Sequence, residues 1–239
     1  ISTGTLDVQA SRDTSSSSSE SQNGHITVAQ TLGGAASGPT VSASFNRNES
    51  RDKTTTYNNS TLNANNINIT TTGDVNVQGG NIDASNILNA NIGGDLHLES
   101  KQNRSSGSNK GFGVSGGFGF GEGTEAPDAL SSTVGSALSS ISGTATNTTN
   151  LGDTSGGVDS VNGGLNASNG RYQNKETVLS TLTGNKVNIN VEGNTHVVGA
   201  LIAAQDSEGN DTGNLALSTG SLTYTDLSNT SYNSQQSLS

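Results

Sequence analysis

Residues 113–117 read Gly-Val-Ser-Gly-Gly and fit the G-x-S-x-G spacing of a nucleophile elbow. That motif works only where a strand runs through a tight turn into a helix. Here Ser115 sits inside a glycine and phenylalanine alternation, 111–121, with no helical pattern after it, so no serine catalysis is expected. Three histidines, His25, His97 and His196, could hold a metal or move a proton, but they lie far apart in the sequence. His97 falls between Leu96 and Leu98, and His196 precedes Val197. Alternating strands therefore point both imidazoles outward, as solvated surface groups and not ligands. The run 206–214 gathers Asp206, Glu208, Asn210 and Asp211, oxygen donors of the kind calcium takes. Its spacing misses the EF-hand pattern, so a polar turn is the expectation, with calcium left open. Asp74, Asp83 and Asp95 recur singly at turns. A polysaccharide-cleaving enzyme would need such charges clustered on one sheet face. No catalytic residue, no cofactor and no metal ligand is assigned, and the chain is expected not to be an enzyme.

Composition narrows the partners. Cysteine is absent, which excludes disulfides, thiolate catalysis and zinc–cysteine sites. It also suits a chain that crosses a pore unfolded. Ten Lys and Arg are scattered among twenty Asp and Glu, for a net charge of −10. No basic stripe stands in the sequence to neutralise phosphates, so no nucleic-acid partner is expected. The apolar runs are too short for a membrane helix. The chain opens on Ile1 without a leader-like apolar region, which reads as an internal or processed piece. With 28% hydrophobic residues, the composition lies at the edge of the disordered class, so only patterning can argue for a fold.

The patterning is strong. Leu62 recurs as Ile82 and Ile67 as Ile87, each 20 residues on; Gly73-Asp74-Val75-Asn76-Val77 recurs as Gly94-Asp95-Leu96-His97-Leu98, 21 residues on. Such periods mark stacked repeats. Within a unit the period is two, as in Ile67/Ile69, Val75/Val77 and Leu96/Leu98. Short strands with one inward face, separated by Gly, Asn and Asp, describe one turn of a β-helix. Residues 51–84 also align without gaps to 171–204, offset by 120, keeping apolar positions and turn glycines. "GTLDVQASRDTSSSSSES" (4–21) and "GDLHLESKQNRSSGSNKG" (94–111) each run from a strand into a Ser-rich excursion, and further strands, 41–45 and 111–121, follow. In the second, Phe112, Val114, Phe118 and Phe120 share a face. Leu130, Val134, Leu138 and Ile141 stand at helical spacing and predict a short helix near 127–142; 144–170 reads as a flexible loop. Three segments follow: repeats at 1–121, an insert at 122–170 that is partly helical or disordered, and repeats at 171–239.

Four or five aliphatics per coil, each contributing about 1.5–3 kcal/mol on burial, do not offset the ordering of some 20 residues at roughly 1–2 kcal/mol each. Bonds between coils must supply the rest, so no coil is stable alone. Asn at corners is expected to bond the same Asn one coil up.

The alternating coils, the stretch "LHLESKQNRSSGSNKGFGVSGGFGFG" (96–121) and the terminal "GNLALSTGSLTYTDLSNTSYNS" (213–234) together resemble the haemagglutinin repeats of the filamentous haemagglutinin family. The resemblance spans 1–121 and 171–239. It implies an all-β, right-handed parallel β-helix, secreted or displayed on the outer surface of a Gram-negative bacterium. It implies export by a two-partner route through a cognate outer-membrane transporter. The implied role is adhesion, or presentation and delivery of a contact-dependent growth-inhibition toxin, with a target-cell surface receptor or membrane as a further partner. No catalytic residue carries over. The alternatives are a β-helix polysaccharide-active enzyme, or a membrane-active segment carried by Phe112–Phe120 and the 127–142 helix.

Overall fold

The computed structural model describes residues 1–31, 38–120 and 158–239, and every regular element among them is a strand. Alternating segments form two sheets in which all pairs are parallel. The first runs β1 (Ser2–Thr3), β5 (Ser60–Thr71), β7 (Gly80–Ile92), β11 (Thr181–Val191), β13 (Leu201–Ala204), with β14 (Leu215–Ser218) also on β11. The second runs β15 (Ser221–Thr225), β12 (Asn194–Val198), β8 (Leu96–Glu99), β6 (Val75–Gln78), β2 (Leu6–Gln9). The chain visits the two sheets in turn, β5–β6, β7–β8, β11–β12, and each pass lies on the previous one. This is consistent with a parallel β-helix.

Alternation sends apolar side chains to one side, and pairing stacks them in columns. Leu62, Ile82, Leu182 and Ile202 form one column, and Ile67, Leu88, Val187 and Leu215 another. Val8, Val77, Leu98, Val197 and Tyr224 form a third. Ile82, Val77, Leu96, Leu98 and Val187 are fully buried. Residues 60–78, which align at offset 120 with 180–198, therefore occupy the same slots two rungs apart, with 80–99 between them.

One slot corrects the sequence reading. Ile67 pairs with Leu88, not Ile87, because the register shifts between Ala64 and Asn66. Two residues, Ser85 and Asn86, face Asn65 alone, so the upper coil is one residue longer from there on. Ile87 pairs with Asn66 and is partly exposed, while Leu88 is buried.

Corners are built by close approach. The amides of Gly73, Gly94, Gly193 and Gly220 donate in turn to the carbonyls of Gly4, Gly73, Gly94 and Gly193. A Cβ on Gly94 would stand 2.7 Å from the carbonyl carbon of Gly73, so only glycine lets the coils meet. At the same corner the Asp74 carboxylate accepts from the Asp95 amide at 2.8 Å, and the Asp95 carboxylate from the Asn194 amide at 2.7 Å. The asparagine bonds expected at corners occur there and elsewhere. Asn86 bonds Asn66 at the register shift. A longer ladder, Asn68, Asn89 and Asn188, lies mid-strand on the outer side, with amide bonds of 2.9 and 2.8 Å.

The Ser-rich excursions are long strands of a third sheet, ordered β16 (Thr230–Leu238), β10 (Val158–Val178), β9 (Lys101–Phe120), β4 (Gly38–Asn58), β3 (Ser11–Thr31). Its contacts run in opposite senses. Arg47 meets Glu20 while Thr40 meets Ala29. Asn46 and Asn166 meet Gly113 while Ser42 and Asn162 meet Gly117. Thr177 meets Asn229 while Asn174 meets Ser231. Each neighbouring pair is thus antiparallel. Residues 158–170, expected in a loop, belong to β10 instead. Val161 and Leu165 there are each 62% exposed, so the strand is held by backbone pairing and not by a buried face. The helix expected near 127–142 lies outside the described residues.

The chain divides into two compact units. Unit 1 comprises Ile1–Ser16, Asp52–Ser106 and Tyr172–Tyr232; unit 2 comprises Ser17–Arg51, Gly107–Arg171 and Asn233–Ser239. Unit 1 holds the stacked core. In unit 2 the amide oxygens of Asn46 and Asn166 occupy the space where a Gly113 Cβ would stand, which explains the glycine there. The other face of the same strands carries Phe45, Val114, Phe118 and Leu165.

Candidate functional site

Within unit 1 the first residues after each corner, and the last before it, fall on one side of β3, β4, β9 and β10. Alternation along these strands sets Arg12, Lys53, Arg104 and Lys175 together, and Lys101 joins them from the β9 corner. These are five of the ten Lys and Arg in the chain. They line a cleft of about 580 Å³ whose walls also hold Tyr57, Gln102, Ser105, Ser106, Gln173 and Asn174. Glu99 is the acid among the lining residues.

Glu99 is already engaged. Its Oε1 accepts from Lys101 Nζ at 3.0 Å, and its Oε2 lies 3.2 Å from His97 Nε2. Burial pushes the Glu99 carboxyl upward, but the bonds and positive charge of Lys101 and His97 outweigh it and hold the group below its ordinary range. Lys101 also donates to Gln78 Oε1 at 3.1 Å. Among the described residues, Arg12, Lys53, Arg104 and Lys175 make no ion pair. Four cations thus face one space whose lining acid, Glu99, is already paired with Lys101, in a chain with twice as many acids as bases. Such a space can hold an anion through charge-assisted hydrogen bonds.

In the sequence these cations are scattered. They are 41 to 71 residues apart from strand to strand, and only the return of each long strand brings them together. A signal was present: where the chain leaves or rejoins the coils, a cation stands within a few residues.

The other candidates fall elsewhere. Ser115 lies exposed inside β9, a strand and not an elbow. His25 contacts Thr27 at 2.7 Å. His97 and His196, far apart in sequence, are register partners on the outer side of the second sheet, with rings stacked 5.2 Å apart at 16°. His196 Nδ1 lies 2.7 Å from Thr223 Oγ1. Among the described residues, no group of three or more His, Asp or Glu is placed to hold a metal. At 206–211, Asp206 Oδ1 accepts from the amides of Glu208 at 3.0 Å and Asn210 at 2.8 Å. Its carboxyl is held below the ordinary range, first by the Asn210 side chain and next by the Asn210 amide. Asp206 therefore closes a turn. Asp83 is drawn into the first sheet by Thr181 Oγ1 at 2.8 Å.

Residues 1–114 match the family model described as hemagglutinin repeat. No curated protein and no solved structure matches the chain. The matched span covers the first long hairpin, two full coils and most of β9, the parts whose stacking and corners are described above. The match over residues 1–114 supports the resemblance of this chain to the filamentous haemagglutinin family.

Proposed function

We propose that this chain is a shaft segment of a secreted or surface-displayed exoprotein, a right-handed parallel β-helix that serves adhesion at the outer surface of a Gram-negative bacterium. The observation that carries the reading is the hemagglutinin-repeat match over 1–114, a repeat that implies an exoprotein segment of non-enzymatic type. The physics of the fold supports it. Each rung is completed by bonds to the one before, so a chain emerging from a pore can fold rung by rung onto what is already outside. Absence of cysteine keeps the chain free to thread. A dedicated outer-membrane two-partner transporter is the proposed export route. Presentation of a contact-dependent growth-inhibition toxin is a second use of the same shaft.

The test is protease shaving of intact cells that make the protein containing this chain, with and without its transporter. The proposal expects the chain to be cleaved from outside only when the transporter is present. Protection in both strains sinks the surface reading. Adhesion to target cells and co-culture competition then separate the two uses.

A further inference from the structure

We infer that His97 and His196 form a two-imidazole binding site for a divalent transition-metal ion of the zinc and nickel class, laid across two rungs of unit 1. The inference goes beyond the adhesive reading and does not rest on it.

Placement is the first argument. His97 on β8 and His196 on β12 are register partners, both part-buried, and their rings stack 5.2 Å apart at 16°. Metal–nitrogen bonds of roughly 2.0–2.1 Å let one ion span about 4 Å between two imidazole nitrogens, so the rings need only tip toward each other to share it.

Proton placement is the second argument. Thr223 has one hydroxyl proton, which it donates to the Thr195 carbonyl at 3.4 Å. Its oxygen therefore accepts from His196 Nδ1–H at 2.7 Å, which leaves the lone pair of the neutral ring on Nε2. The Glu99 carboxylate only accepts, so His97 donates Nε2–H to Glu99 Oε2 at 3.2 Å and keeps its lone pair on Nδ1. Neither His196 Nε2 nor His97 Nδ1 has a hydrogen-bond partner among the described residues. Metal-bound histidines are held in this manner, with the other ring nitrogen donating to a carboxylate or another oxygen. Glu99 also bonds Lys101 at 3.0 Å, which offsets the repulsion of that lysine for a second cation.

Donor type is the third argument. The chain holds no cysteine, no methionine and three histidines, so these imidazoles are two of its three soft ligands. Imidazole nitrogen suits zinc, nickel and copper, whereas calcium and magnesium take oxygen. Among the described residues no third His, Asp or Glu is placed to join the pair, so water completes the coordination. The two histidines meet only when one coil lies on another. The ion therefore binds the folded chain and stabilises the contact between the two rungs.

Calorimetric titration of the chain with zinc, nickel and calcium chlorides, together with nitrogen–proton NMR of the imidazoles, tests the inference. We expect zinc, nickel or both to bind at one ion per chain, and calcium not to bind. Before metal is added, His196 will be the Nδ1–H tautomer and His97 the Nε2–H tautomer. On titration with the bound metal in its zinc form, these two rings will shift and His25, on β3, will not. His97→Ala and His196→Ala will each lose at least about tenfold in affinity, since even the partners that orient metal ligands are worth about 10–100-fold. His25→Ala will stay within about twofold. Metal will raise the melting midpoint of the unaltered chain and not that of His196→Ala. If an alanine variant loses its β-type circular dichroism, the NMR titration of the unaltered chain decides. Absence of zinc and nickel binding, shifts at one ring alone or at His25, the opposite tautomer at either ring, loss of affinity in one of the two variants only, or equal binding of calcium overturns the inference.

Discussion

Leu88→Ala and Ile87→Ala differ by one position and will differ sharply in cost. Leu88 is 1% exposed and lies in a column between Ile67 on one side and Val187 on the other. Rungs on both sides are fixed by backbone bonds, so the cavity cannot collapse. Leu→Ala in such a site costs about 2–5 kcal/mol, and rigid neighbours favour the upper half, about 3–5 kcal/mol. For a chain of this size each kcal/mol lowers the melting midpoint by about 2–4 °C, which gives a fall of roughly 6–20 °C. Ile87 sits beside Asn66 and Lys186, partly exposed at the register shift, and its truncation will cost about 1 kcal/mol or less. Urea and thermal unfolding followed by far-ultraviolet circular dichroism read both variants. If Ile87→Ala costs as much as Leu88→Ala, the extra residue at Ser85–Asn86 is misplaced and the column reasoning fails.

Gly94→Ala forces a methyl group to within 2.7 Å of the Gly73 carbonyl carbon and will cost about 1–3 kcal/mol in urea unfolding; an unchanged midpoint would show that the corner is looser than described. Asn89→Ala removes the bonds to Asn68 and Asn188 on the outer ladder and will cost about 1–2 kcal/mol, whereas a neutral result would leave that ladder without energetic weight. Glu99 has a folded-state pKa held below its unfolded value, so the stability it contributes is present above the ordinary glutamate range and is lost as pH falls through the depressed value. Glu99→Gln will therefore flatten the acid limb of the melting-temperature profile while lowering stability at neutral pH, and an unaltered acid limb would refute the pairing with Lys101 and His97.

Much of unit 1 was legible because its signals are local. Period-two apolar residues such as Val75/Val77 and Leu96/Leu98 state which side is inward, and burial bears this out. Gly73 and Gly94 mark corners because a second coil leaves no room for a Cβ there. The single-residue shift at Ser85–Asn86 was hidden, since Ile87 and Leu88 are both aliphatic and only pairing shows which faces inward. The strand at 158–170 was hidden for a different reason. Alternation appears only where one face is buried, and β10 exposes Val161 and Leu165 while its backbone is satisfied by its neighbour.

The site was less legible than the fold. A column of like residues repeats along the sequence, but a cluster drawn from four separate strands does not. Arg12, Lys53, Lys101, Arg104 and Lys175 are joined only by the antiparallel return of the long strands. The stacked pair His97 and His196 is a similar case: 99 residues apart in the chain, they are neighbours because one coil lies on another. His97 does face outward as expected, but the ring it stacks on could not be seen from the outward assignment alone.

The central claim is that rungs distant in sequence pair in parallel and in register. The chain has no cysteine, so an introduced pair is the only one that can bond. Asn89 and Asn188 are register partners, and paired strands place such Cα atoms about 4.8 Å apart, inside the roughly 4.4–6.8 Å a disulfide spans. Under mild oxidation, Asn89→Cys with Asn188→Cys will cross-link within one chain, and Asn91→Cys with Asn188→Cys, two residues out of register, will not. Cross-linking of the second pair and not the first, or of both alike, would contradict the stacked arrangement from which the rest follows.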